Sequence, residues 1–186
     1  MKKCYLLLII SAWMHTAVAQ DTTHSKWRFH SINTMGWIVG NTKPAFQLQT
    51  VNGFRKDHVF LGLGVGTDNY KYSGVPVFAD IRYYFEQTPS AAFIYGDGGI
   101  HFATINEKAS FSDIRYSNGF YSDLGIGWAI GCGRHSAVEL CAGWTYKRIT
   151  RRESYWVHPI GTPDYEYADK YIYSLTRLVF KAGFRF

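Results

Sequence analysis

Beyond its first twenty positions this 186-residue chain has no long apolar run. A membrane-crossing helix needs about 20 consecutive apolar residues, and nothing approaches that length. Nor does any segment carry a helical period. If the protein enters a membrane, it must do so as a closed barrel of strands, because only helices and closed barrels satisfy every backbone polar group in lipid. Cysteine is scarce: Cys4, Cys132 and Cys141 are the three in the chain. No zinc-ligand spacing, phosphate-binding loop or nucleophile elbow is present. The sequence therefore gives no reason to expect a catalytic residue, a metal or a cofactor. The formal charge of +6 includes Lys2 and Lys3. It is too modest, and its basic and aromatic residues too dispersed over strands and loops, to argue for nucleic acid.

The N-terminus reads as an export signal. Lys2 and Lys3 precede a short apolar core, Tyr5–Trp13, and Ala17-Val18-Ala19 forms a small-x-small cleavage site. Residues 1–19 are expected to be a signal peptide cleaved near Ala19, leaving residues 20–186 as one domain that travels the secretory pathway. Only Cys132 and Cys141 then remain. They fall on opposite arms of one hairpin with opposite facing, so two free thiols are expected rather than a disulfide.

What the chain does have is aromatic residues, glycine and alternation. Aromatics make up 18%, with 14 Tyr, 13 Phe and 6 Trp, and there are 18 Gly. Tyrosine and tryptophan favour membrane interfaces, and glycine relieves crowding where strands curve. In residues 178–186, Leu178, Phe180, Ala182, Phe184 and Phe186 share one face, while Val179, Lys181, Gly183 and Arg185 share the other. A wall between lipid and a polar interior needs that pattern. Eight strands are expected, at about Trp27–Val39, Ala45–Asn52, His58–Asn69, Val75–Glu86, Ala91–Ile105, Gly119–Gly131, Ser136–Thr150 and Lys170–Phe186. Their connections alternate between short turns, near Gly53–Asp57, Gln87–Ser90 and Cys132–His135, and longer ones that end in the loops Asn106–Asn118 and Arg151–Asp169. Together these features predict an all-β fold: an eight-stranded antiparallel up-and-down transmembrane β-barrel with its short turns in the periplasm.

Facing follows from parity. Leu61, Leu63, Ile126, Trp128 and Leu140 should look outward, and the first two strands alternate least cleanly. The inward face collects Asp80, Arg82, Asp97, Asp123, Glu139, Arg177 and Lys181. An eight-stranded barrel has room inside only for side chains, so these charges should pair into a polar plug. Asp97, His101 and Asp123 can be drawn as an acid–base group, but no nucleophile spacing makes it specific. A second candidate lies at the outer rim. Lys147, Arg148, Arg151 and Arg152, followed by Tyr155, Trp156 and His158, suit the phosphates of lipopolysaccharide or another anion.

The hairpin LGLGVGTDNY (61–70) and VPVFADIRYYF (75–85) resembles those of small outer-membrane β-barrel proteins of Gram-negative bacteria. The segments at 93–102, 120–131 and 137–148 fit the same pattern. The FKAGFRF ending, with Phe180, Phe184 and Phe186, resembles the signal read by the outer-membrane insertion machinery. The likeness covers about residues 58–186 and implies residence in the outer membrane, with its lipids, including lipopolysaccharide, and that machinery as partners. It implies no single activity. The resulting expectation is a monomeric, non-enzymatic barrel with its loops as the interaction surface. One alternative is an acyl hydrolase or transferase acting on membrane lipids, using Ser110, Ser112 or Ser154 with His158 or His101. Another is a soluble lipocalin-like binding protein, which would require the opposite facing.

Overall fold

The computed structural model describes residues 26–40, 44–70, 72–104, 107–109, 112–133, 136–157 and 165–186. The expected signal peptide lies outside them. Ten strands follow in chain order: β1 (Arg28–Val39), β2 (Ala45–Lys56), β3 (Val59–Asp68), β4 (Gly74–Tyr84), β5 (Ala91–Ala103), β6 (Glu107–Ala109), β7 (Ser112–Ser117), β8 (Gly119–Gly131), β9 (Ala137–Val157) and β10 (Tyr165–Arg185). Eight of them pair antiparallel with their neighbours in the order β1-β2-β3-β4-β5-β8-β9-β10, and β10 returns to β1. The sheet therefore closes on itself with no free edge along its barrel portion. Among the described residues no helix is long and apolar enough to cross a membrane.

The alternation sets the polarity of the wall. Leu63 is 73% exposed and Ile126 64%, and Leu61, Trp128 and Leu140 also face out. Phe60, Phe78, Tyr84, Phe93 and Tyr121 face in and are buried. One end carries short turns. The tightest is Asp57-His58, where Lys56 pairs with Val59 and Asp57 takes φ 53°, a conformation Asp tolerates better than most residues.

Three expectations need correcting. Gly53 does not begin a turn: β2 runs on to Lys56. A Cβ on Gly53 would lie 2.2 Å from the Leu61 carbonyl oxygen, so the glycine marks a close strand approach. The stretch 106–118 is not simply a loop, since it holds the β6–β7 hairpin. The loop expected at 151–169 is mostly strand. β9 and β10 run 21 residues each and stay paired from Tyr165–Val157 down to Arg185–Ala137. β7 continues alongside β9 above β8, with Ser117 opposite Thr150. At that junction a Cβ on Gly119 would lie 1.6 Å from the Arg148 carbonyl oxygen, so no larger residue fits. The barrel thus carries a tall sheet on one side of its long-loop end.

Candidate functional site: a charged lumen and a basic rim

The inward positions build three tiers of charge. Nearest the short turns, Arg82 bonds Asp80 at 2.9 Å and Glu139 at 2.5 Å. Arg185 reaches Glu139 at 3.3 Å, and the Tyr84 hydroxyl donates to the same carboxylate at 2.9 Å. The Arg55 guanidinium lies 4.0 Å from the centre of the Tyr84 ring. In the middle tier, Lys181 pairs with Asp123 at 2.8 Å and with Asp97 at 3.6 Å. Tyr95 donates to Asp123 at 2.9 Å, and Gln47 and Gln49 both donate to the Tyr121 hydroxyl at 2.8 Å. Nearest the long loops, Lys147 pairs with Asp68 at 2.5 Å and donates to the Tyr72 carbonyl at 2.8 Å. His101 Nε2 lies 3.3 Å from Asp68.

Six of the seven expected lumen residues meet in the lower two tiers. Arg177 does not join them: it is half-buried higher up, against Gly40 and within the field of Tyr70. Asp68, Lys147 and Arg185 belong to the network, although none was in the expected set. The buried acids are Asp68, Asp80, Asp97, Asp123 and Glu139, and the buried bases are Arg82, Lys147, Lys181 and Arg185. Among these described residues the two signs are near balance, and each base is paired. Gln47, Gln49, Thr34 and the tyrosines fill the space between.

The basic rim differs from its expected form. Lys147 is fully buried in the lumen, where it pairs with Asp68. Alternation splits the run: Arg148 and Arg152 are exposed on the outer face, while Arg151 is half-buried and pairs with Glu153 at 2.9 Å. Register then adds two residues that no linear reading could find. Arg152 stands directly opposite Arg115 of β7 on one side and Lys170 of β10 on the other. All three are exposed. Like charges directly opposite one another are destabilising. Just below, Phe120 and Tyr146 pack at 6.2 Å and Trp144 faces out, which marks an aromatic belt.

The inner face of the tall sheet is rich in tyrosine. Tyr72 packs against Tyr116 at 4.7 Å and Tyr173 at 5.6 Å. Burial, with the neighbouring Tyr173 hydroxyl, pushes the Tyr72 phenol up to about 12, so it stays protonated at neutral pH. Of the acyl-transfer alternative, only His101 and Ser154 have described side chains, and they lie apart. His101 is buried in the lumen, whereas Ser154 lies on β9 with the outward parity of Arg152. Ser110 and His158 lie outside the described residues, as does the Ser112 side chain. Cys132 is exposed at a turn, Cys141 is buried, and both are free thiols. Among the described residues no cluster of His, Cys, Asp and Glu could hold a metal ion.

An antiparallel closed wall of eight strands, apolar outside and charged within, defines a transmembrane β-barrel. No protein-family model matches the chain, and no curated protein matches it in sequence. The chain is similar to several solved structures. Neisserial surface protein A is 16% identical, with 84% of this chain and 94% of that one covered at a TM-score of 0.49. The N-terminal β-barrel domain of Pseudomonas aeruginosa OprF is 12% identical, with 87% and 100% covered at 0.49. Outer membrane protein AlkL, solved in lipid bilayers, is 8% identical, with 92% and 95% covered at 0.47.

Proposed function

We propose that the protein is an integral outer-membrane barrel without enzymatic activity, closed to ions, which presents its tall sheet and loops outside the cell. The observation that carries this reading is the inverted polarity: large apolar side chains cover the outside, while carboxylates and cations fill the inside. In water such an exterior would be an aggregation surface far larger than soluble proteins expose. In a bilayer it is the required solvent-facing surface. The short-turn end then faces the periplasm and the long-loop end the exterior.

The row Arg115–Arg152–Lys170, with Arg148 below it, stands just beyond the aromatic belt. That height suits the phosphate-bearing headgroups of lipopolysaccharide in the outer leaflet, to which Arg can donate paired hydrogen bonds. Phe180, Phe184 and Phe186 share the outward face of β10, as a signal for the insertion machinery would require.

The test is fractionation from a Gram-negative host, with boiled and unboiled samples compared on a gel. An outer-membrane band that shifts on boiling, and no single-channel steps in a planar bilayer, are expected. A soluble periplasmic protein with no shift would overturn the reading. For the rim, changing Arg115, Arg148, Arg152 and Lys170 together to Gln should reduce lipopolysaccharide bound by the purified barrel while leaving the boiling shift intact.

A further inference from the structure

The outward face of β1 and β2 breaks the rule that the rest of the barrel obeys. Its cross-strand pairs run Phe29–Phe54, Ser31–Asn52, Asn33–Thr50, Met35–Leu48 and Trp37–Phe46. Two polar pairs are therefore held between apolar pairs, inside the belt that meets lipid. On β3, by contrast, Val59, Leu61, Leu63 and Val65 form an unbroken apolar row. The Thr50 hydroxyl donates to the Asn33 side-chain oxygen. Within the described residues, that bond uses the Asn33 oxygen and leaves its NH₂ group, and the whole Asn52 amide, facing out. Beside this notch lies a shallow, open surface groove bordered by Met35, Leu48, Val65, Ala182 and Phe184.

Amides facing hydrocarbon without partners are costly, and polar side chains inside membranes serve as glue between proteins. An asparagine amide both donates and accepts. A patch built of Asn33, Thr50 and Asn52, with Ser31 buried beside it, is therefore its own complement, and it carries no charge that a copy would repel. A two-fold axis along the membrane normal brings the patch onto itself while keeping both barrels the same way up.

We propose that β1 and β2 form a homodimer interface within the bilayer, in which Asn33 and Asn52 hydrogen-bond across the two-fold axis. The proposal rests on the membrane reading above, and it goes beyond the monomer expected from sequence.

The test uses the full-length barrel reconstituted in phosphatidylcholine vesicles, with donor- and acceptor-labelled copies mixed at falling protein-to-lipid ratios. Energy transfer should persist well below the ratio at which random proximity accounts for it. Asn33→Leu with Asn52→Leu should raise the dimer dissociation constant about tenfold or more, given the modest worth of each intramembrane hydrogen bond. The same variant should keep the boiling shift, because leucine suits a lipid-facing site. Disulfide trapping of Leu48→Cys, in a Cys132→Ser background, should give a covalent dimer. Ile126→Cys, on β8, should not.

Energy transfer no greater than random proximity, equal trapping at both positions, or transfer unchanged by the double substitution would each overturn the proposal. Phospholipid retained by the unmodified monomer in native mass spectrometry, and lost from the variant, would assign the notch to a lipid instead. Loss of the boiling shift from the unmodified protein would count against the membrane reading itself, so the two failures are distinguishable.

Discussion

Glu139→Gln tests the lumen most directly. Glu139 is fully buried and accepts from Arg82 at 2.5 Å, from Arg185 at 3.3 Å and from Tyr84 at 2.9 Å. The amide keeps the shape but loses the charge, and its NH₂ group can point a donor at a guanidinium. Arg82 retains Asp80 at 2.9 Å, whereas among the described residues Arg185 pairs with Glu139 and with no second carboxylate. Removing one partner of a buried pair costs about 3–5 kcal/mol, because the remaining charge is left in a low dielectric. The comparison is Glu153→Gln, whose pair with Arg151 is 24% and 27% exposed. Exposed pairs are worth about 0–1 kcal/mol. The assay is urea unfolding in lipid vesicles, followed by tryptophan emission and by gel mobility. Trp37, Trp128 and Trp144 all face outward, so their emission reports departure from lipid. Joint replacement of Glu139 and Arg185 by Met removes both charges and leaves Arg82 with Asp80. It should cost less than Glu139→Gln alone. If Glu139→Gln lies within about 1 kcal/mol of the unmodified barrel and matches Glu153→Gln, the network does not hold the lumen and the reasoning fails.

Other predictions follow from the wall and the turns. Leu63→Arg puts a cation on the most exposed lipid-facing leucine and should cost about 2–4 kcal/mol in the same titration, if the site lies near mid-depth. Gly53→Ala should destabilise the barrel by about 1–3 kcal/mol and lower the temperature of the boiling shift, because the added methyl meets the Leu61 carbonyl. A bulky maleimide should label Cys132 and spare Cys141 in the folded barrel, with both labelled after unfolding, as read by mass spectrometry. Labelling of Cys141 in the folded state would mean that the lumen is open.

Where lipid lies outside and charge inside, the sequence could be read. From β3 onward the outward positions within the belt are apolar or small while the charged residues fall on the opposing face, so parity located Asp80, Arg82, Asp97, Asp123, Glu139 and Lys181. β1 and β2 read poorly for a physical reason. Asn33, Thr50 and Asn52 take lipid-side positions and Ser31 is buried next to Ile32, while Ile32, Ile38 and Val51 sit inside, so alternation loses its contrast. The upper halves of β9 and β10 were hidden because, beyond the belt, both faces of the sheet are polar or aromatic. The basic run was misread as one patch because proximity along a strand puts neighbours on opposite faces: Lys147 goes in and Arg148 goes out. Arg115 and Lys170 could enter the rim only through pairing register, which no single segment encodes.

The closing seam has a kinetic consequence. β9 and β10 pair over 21 residues as a local hairpin, whereas β10 meets β1 over eight pairs, from Ile32–Arg185 to Val39–Leu178, extended by the backbone bonds between Ser31 and Phe186. Joining Ile32 to Arg185 closes a loop of about 150 residues, with a chain-entropy cost on the order of 4–5 kcal/mol from logarithmic scaling. The hairpin faces a much smaller cost and should zip early, leaving β1 as the last strand to dock. In unfolding the order reverses. The first partly folded species is an opened sheet, its β10 still bound to β9 and its β1 edge exposed.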